Sequence, residues 1–170
     1  ITLLVAGHET TTAQATNGFL HWLNNRDKWE ELVNQPELIP NAVEEMMRID
    51  PSVCTWRRWT VKETVVGGVT IPAESNLLLM LNSANRDPSV FPNPDEIDVR
   101  RDNLKDHLAL GYGIHYCVGA PLARLELAIL FEEIAAAMPS LRLVPDQSLN
   151  YTRNISFRGP LQLELEWDER

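Results

Sequence analysis

The chain has 170 residues, 44% of them hydrophobic and 23% charged, a composition that suits a globular domain with a core and excludes disorder and collagen-like repeats. Its 24 acidic and 15 basic residues give a net charge of −9, split as 6 basic against 10 acidic up to residue 85 and 9 against 14 beyond it, so no basic patch for nucleic acid is indicated. Uninterrupted apolar runs, such as Leu77 to Leu81, reach no more than five residues and fall far short of the roughly 18 of a membrane span.

From Ile1 to Asn24 apolar residues recur at helical intervals with no proline, which predicts one long helix. The chain opens inside that pattern, on ITLLVAG without a capping residue, so it reads as a segment of a longer domain. Asp27 to Asn34 predicts a second helix closed by Pro36, and Asn41 to Ile49 a third closed before Pro51. A small sheet is expected next: a strand over Trp56 to Val61, a hairpin turning at Gly67 and Gly68, and a strand over Asn76 to Leu81. Arg86 to Leu110 carries Pro88, Pro92, Pro94 and many charges, which predicts a long irregular segment. Pro121 to Met138 is the clearest amphipathic helix, and short strands are expected near Leu141 to Val144, Asn154 to Phe157 and Leu161 to Trp167. The fold class is mainly α with small β-sheets.

The two cysteines, Cys54 and Cys117, lack CxxC spacing, which argues against a disulfide framework or zinc ribbon and fits a reducing compartment. Cys117 lies just before a helix, where backbone amides can approach the sulfur at the positive helix end. Gly111, Gly113 and Gly119 make a loop that can bring backbone close to a flat ligand, and His115 can meet an anionic group. The bland alternative is a buried, inert cysteine acting as a small apolar residue. One thiolate without a second soft ligand points to haem iron rather than zinc; a zinc site on Cys117 and His115 would need two further ligands, and Cys54 and His107 have no supportive spacing. In AGHETT, Gly7 costs about 1 kcal/mol relative to alanine in mid-helix. The Thr10 hydroxyl can bond back to the Ala6 carbonyl, and a bend beside small residues makes a pocket. Polar residues on a solvated helix face are the alternative. Glu45 and Arg48, three apart, share a helix face, where an exposed pair would contribute about 0.2–0.5 kcal/mol.

The segment LGYGIHYCVGAPLARLE resembles the haem-binding loop of the cytochrome P-450 family of haem-thiolate monooxygenases, and the resemblance extends over the whole chain. It implies a carboxy-terminal portion, residues 1–170, of a single haem domain whose amino-terminal half is absent. By the resemblance Cys117 is the axial ligand of the iron of haem b, Gly111, Gly113 and Gly119 are the loop glycines, and His115 partners a haem propionate. The family usually has phenylalanine at the position of Leu110, which implies looser packing around the thiolate. AGHETT resembles the family's oxygen-binding helix, with Ala6 and Gly7 beside the cofactor and Glu9 and Thr10 delivering protons to dioxygen. Glu45 and Arg48 resemble the structural ExxR pair; where many relatives carry its arginine partner this chain has Glu96, and Arg100 is the candidate substitute. Arg57 aligns with the propionate-binding arginine, with Arg58 its adjacent competitor. Val53, Cys54, Thr55, Ile155 and Ser156 fall in segments that line the substrate pocket of relatives.

The function so implied is insertion of one atom of dioxygen into a small organic substrate, with electrons from NAD(P)H. These would arrive through a flavin and iron–sulfur partner, either a ferredoxin or a fused or separate reductase, on the proximal face where Arg124 is expected. The stretches RRDNLKDHLALGYG and NISFRGPLQLELEWD resemble bacterial members fused to such a reductase, which would follow Arg170. The motif style is that of soluble bacterial members, hence cytoplasmic. The rival from another class is a non-catalytic haem-binding or gas-sensing module, against which Glu9 and Thr10 argue, since a sensor needs no proton relay.

Overall fold

The structure, a computed structural model, describes residues 2–168; Ile1, where the expected first helix opens, and Glu169 and Arg170 lie outside the described residues. Four helices make the body. Helix α1 (Thr2–Asn24) is exposed along its first two turns and buried from Gln14 onward. Helix α2 (Arg26–Asn34) buries Trp29 and Leu32. Helix α3 (Ile39–Ile49) starts two residues before the expected Asn41 because Pro40 sits in its first turn, where the missing N–H would have no helical acceptor. It is buried at every position from Ala42 to Ile49. The fourth long helix, α5 (Ala120–Ala137), packs beside α3 and α1.

These helices meet in an aromatic core. The Phe19 ring lies 4.9 Å from Phe131 at an edge-on angle and 6.2 Å from Trp29, with Trp22, Met46 and Leu127 around them. Gly18 is what lets α1 approach α5: a Cβ there would stand 2.5 Å from the Phe131 ring.

Strand β1 (Thr55–Trp59) pairs antiparallel with β4 (Asn76–Met80), and between them in sequence β2 (Thr64–Val66) and β3 (Val69–Ile71) form a separate hairpin. Gly67 and Gly68 both have positive φ, 57° and 81°, the turn whose twist matches a two-residue hairpin. Leu81 belongs to a single helical turn, α4 (Leu81–Ala84), rather than to the expected strand. Residues 86–110 are irregular apart from one tight turn, Leu104–Asp106. After helix α5 (Ala120–Ala137), β5 (Arg142–Leu143) pairs with β6 (Leu165–Glu166). Asn154 to Phe157 is not a strand. The Asn154 side chain accepts from the amides of Ser156 and Phe157 at 2.8 and 3.2 Å, folding the segment into a turn that leaves only a bridge between Val53 and Phe157. The architecture is mainly helical with three small antiparallel sheets.

Candidate active site

The cysteine loop is shaped by glycine at two points. Gly111 has φ +77°, and a Cβ there would stand 2.8 Å from the His115 carbonyl oxygen. Gly113, at φ +61°, opens the tight turn Gly113–His115. The Cys117 amide donates to the Leu110 carbonyl at 2.8 Å and closes the loop, while half-buried Leu110 packs against the core. Gly119 caps α5, and a Cβ on it would only touch the Cys117 sulfur, at 3.8 Å.

Cys117 is exposed, so it is not the buried, inert cysteine; Cys54 is the buried one. Its neighbours are exposed as well. Ile114 is 97%, Val118 86% and Tyr112 83% accessible, and Leu122 and Leu125 continue the apolar surface on α5. An open thiol on a rigid loop framed by apolar side chains suits a flat apolar ligand carrying a metal that accepts sulfur. Among the described residues no three of His, Cys, Asp and Glu gather to hold a metal ion by themselves. The exposed Cys117 thiol, the glycines beside it and the exposed apolar side chains of the loop fit haem. His115 lies exposed in the tight turn, free to reach a carboxylate.

Sequence reasoning missed the network behind this loop. Buried Glu44, the residue before Glu45, accepts from the His107 Nε2 at 3.0 Å and from the Arg124 Nη2 at 2.9 Å. Arg124 also donates from Nε to Glu44 and from Nη1 to the Tyr116 hydroxyl at 2.8 Å. Burial alone would raise the Glu44 pKa, but the hydrogen bonds from His107 and Arg124 and their charges outweigh it and hold the carboxyl down at about 2. The bond to Glu44 in turn raises Arg124. Arg124 thus commits its guanidinium to Glu44 and Tyr116, with its side chain still 27% accessible. His107 and Arg124 share a carboxylate 63 and 80 residues away, which no local spacing reveals.

On α1, Ala6, Gly7 and Glu9 are exposed and Thr10 is half-buried. The Thr10 hydroxyl donates to the Ala6 carbonyl at 2.6 Å, the back-bond expected from the sequence, and Thr12 and Thr16 repeat it onto His8 and Thr12 at 2.8 and 2.7 Å. Nothing lies within 4 Å of where a Gly7 Cβ would sit.

Glu45 and Arg48 are fully buried, not an exposed pair. Two bonds of 2.8 Å join them side by side. Their third partner is Arg101, whose Nε lies 3.2 Å from Glu45. Arg100, the expected substitute, turns outward to Glu31 and Gln35. The chain turns here, with the Asp98 carboxylate accepting from the Arg100 amide at 2.9 Å, and the turn carries Arg101 inward and Arg100 outward.

Arg57 is exposed on β1 and, with Trp56, Arg153, Ile155 and Ser156, lines a hollow of about 620 Å³. Arg58 donates instead to the Arg57 carbonyl, at 2.9 Å. A second hollow, about 400 Å³, is lined by Cys54, Thr55, Leu78, Met80 and Ile155. The 53–55 segment is laced to the 155–157 turn: the Cys54 amide donates to Ser156 at 2.9 Å, the Thr55 hydroxyl to Ile155 at 2.8 Å, and Val53 bridges Phe157. Burial pushes the Cys54 thiol pKa up. Among the described residues no hydrogen bond joins the Ala6–Thr10 turn to the cysteine loop.

Comparison with known proteins follows the same lines. The family model for cytochrome P450 matches residues 26–135. Mycinamicin IV hydroxylase/epoxidase of Micromonospora griseorubida is 42% identical over 171 residues, which span 98% of this chain and 43% of that protein. Steroid C26-monooxygenase of Mycobacterium tuberculosis is 39% identical over 160 residues, 94% of this chain and 43% of that protein in the CDC 1551 strain. An intact type IV self-sufficient cytochrome P450 monooxygenase superposes with a TM-score of 0.95 at 47% identity, covering 97% of this chain and 22% of that one. The CYP116B5 heme domain of Acinetobacter radioresistens gives 0.95 at 41%, covering 98% and 40%. The chain therefore spans less than half the length of these relatives.

Proposed function

The chain belongs to the cytochrome P450 family, and from that premise we propose that it supplies the haem-ligating part of a monooxygenase that places one atom of dioxygen in a small organic substrate. The observation that carries the proposal is the exposed Cys117 thiol on a glycine-shaped loop ringed by exposed apolar side chains. Bound haem b supplies the redox-active iron at which dioxygen is split, one oxygen going to the substrate and the other to water.

The chain's own residues bind, orient and move protons. Cys117 holds the iron through its thiolate, with Gly111, Gly113 and Gly119 keeping the loop low enough for close approach. His115 and Arg57 neutralise the propionates, the first from the cysteine loop and the second from β1. Ala6 and Gly7 leave the facing helix surface bare, and the open space over Gly7 is what a planar neighbour needs. Splitting dioxygen between substrate and water consumes two protons. Thr10, whose hydroxyl donates to the Ala6 carbonyl, positions a proton on this face of α1, and exposed Glu9 beside it connects that point to solvent. Val53, Cys54, Thr55, Ile155 and Ser156 form the substrate wall, tied together by the bonds between the 53–55 and 155–157 segments, and exclude bulk water from the reacting centre.

Electrons come from NAD(P)H through a flavin and iron–sulfur partner, ferredoxin or reductase, at the proximal face. Likeness to a self-sufficient relative of which this chain covers only 22%, against 40% of a heme domain by itself, supports a fused supplier. Among the described residues no helix is long and apolar enough to cross a membrane; a cytoplasmic location would place the enzyme with its NAD(P)H.

The test is a carbon monoxide difference spectrum of the dithionite-reduced full-length protein beside Cys117→Ala. A strongly red-shifted Soret band, lost in the variant, is expected; an ordinary imidazole-like spectrum overturns the ligand assignment. Thr10→Ala in the same protein should uncouple it, lowering product per NAD(P)H about tenfold or more while peroxide rises; unchanged coupling removes Thr10 from the proton path.

A further inference from the structure

The cysteine loop is anchored at both ends to one carboxylate. At its start, the His107 Nε2 lies 3.0 Å from Glu44 Oε2. The Ala109 amide donates to the other ring nitrogen, Nδ1, at 3.2 Å, so Nδ1 is the acceptor and Nε2 carries the hydrogen that Glu44 accepts. At its end, the Tyr116 hydroxyl accepts from Arg124 Nη1 at 2.8 Å, and the same guanidinium grips Glu44 with Nε and Nη2. The path from one end of the loop to the other thus runs His107, Glu44, Arg124, Tyr116, through side chains drawn from α3, α5 and the loop itself.

The His107 end of this path is well shielded and the Arg124 end less so. His107 and Glu44 have side chains 1% and 6% accessible, and Arg124 is at 27%. Charge-assisted bonds in such surroundings hold geometry far better than surface pairs do. Glu44 also sits on the rigid helix α3 beside Glu45, so the anchor inherits the fixity of the buried Glu45–Arg48–Arg101 cluster. Among the described residues no side-chain hydrogen bond braces the middle of the loop, where Tyr112 and Ile114 stand exposed.

We propose that Glu44 and Arg124 are positioning residues for Cys117: by fixing His107 and Tyr116 at the two ends of the loop, they set the place and orientation of the thiolate that binds the haem iron. The inference rests on the reading of Cys117 as that ligand. It assigns to Arg124 an inward task and to Tyr116 the role of a strap next to the ligand. Outer partners of a metal ligand of this kind change metal retention or ligand identity without touching the metal.

Tyr116→Phe is the sharpest probe, because it removes a single hydroxyl from a half-exposed ring and leaves the Glu44–Arg124 pair in place. In the full-length, haem-loaded protein the readouts are the carbon monoxide difference spectrum of the reduced form, the rate at which its thiolate-type band converts to the imidazole-like type on mild warming, and the melting temperature. The expected result is a conversion rate raised about tenfold in Tyr116→Phe, and further in Glu44→Gln, which removes the charge and one of the two acceptor oxygens that the anchors share, with the melting temperature of Tyr116→Phe at the wild-type value. Arg124→Lys, which keeps the charge but not the fork, should resemble Tyr116→Phe. Wild-type conversion rates in Tyr116→Phe and Arg124→Lys overturn the proposal, as does a Tyr116→Phe rate that rises only in step with a fall in melting temperature. If Glu44→Gln does not fold, the other two variants decide the matter. A wild-type protein lacking the thiolate-type band is a different failure: the ligand assignment falls first, and this inference with it.

Discussion

Arg48 is fully buried, and each of its five N–H groups has an acceptor: Glu45 takes two, and the carbonyls of Asn85, Pro94 and Glu96 take one each, at 2.7–3.1 Å. A lysine would offer three donors on a flexible stem and leave acceptors bare, so Arg48→Lys should rescue little of the loss in Arg48→Ala. Removing one partner of such a buried pair costs about 3–5 kcal/mol, to be read from denaturant unfolding of the full-length protein. Glu44 gives a pH signature at the same scale. Its carboxyl is held at about 2 against an ordinary 4.5, so the folded protein binds fewer protons than the unfolded one between those values. Its contribution is complete above pH 4.5 and is lost as pH falls to 2; the shift corresponds to about 3 kcal/mol. Glu44→Gln should flatten the stability profile over that window, and an unchanged slope would show that another acid governs it.

Among the elements, α1 carries two glycines with opposite consequences. At Gly18 an added methyl meets the Phe131 ring at 2.5 Å, in a packed aromatic core. Gly18→Ala should therefore destabilise the protein by about 1–3 kcal/mol. At Gly7 the methyl meets nothing, and Gly7→Ala should leave stability equal or raise it by up to about 1 kcal/mol; thermal unfolding of the two variants side by side checks the contrast. The sequence could announce the helices because their apolar spacing is local, and the hairpin because Gly67-Gly68 dictates its turn. The Thr10 back-bond was equally legible, since it spans four residues of one helix. What it could not announce were arrangements decided by partners far along the chain. Arg101 rather than Arg100 reaches Glu45 across 56 residues, and Arg124 reaches Glu44 across 80. The expected strand at Asn154–Phe157 failed for a local reason: a side chain competed with the ladder for two amides.

At the scale of the whole molecule, apolar exposure is uneven. Tyr112, Ile114, Val118, Leu122 and Leu125 stand open around Cys117, and Leu3 and Leu4 stand open at the start of α1. A surface of that kind, left bare, favours association. The 170-residue chain expressed by itself should bind a hydrophobic dye and scatter light as its concentration rises, and a clean monomer by sedimentation would show that these side chains are dispersed rather than contiguous. The irregular stretch of residues 86–110 behaves differently. Arg48 and Arg101 grip the main-chain carbonyls of Asn85, Pro92, Asn93, Pro94 and Glu96, while the side chains of Arg101 and His107 tie the stretch to Glu45 and Glu44 on α3. Where only a carbonyl is gripped the side chain is left free to vary: exposed Glu96 contributes its carbonyl to both arginines and could be exchanged for almost any residue without moving the path of the chain.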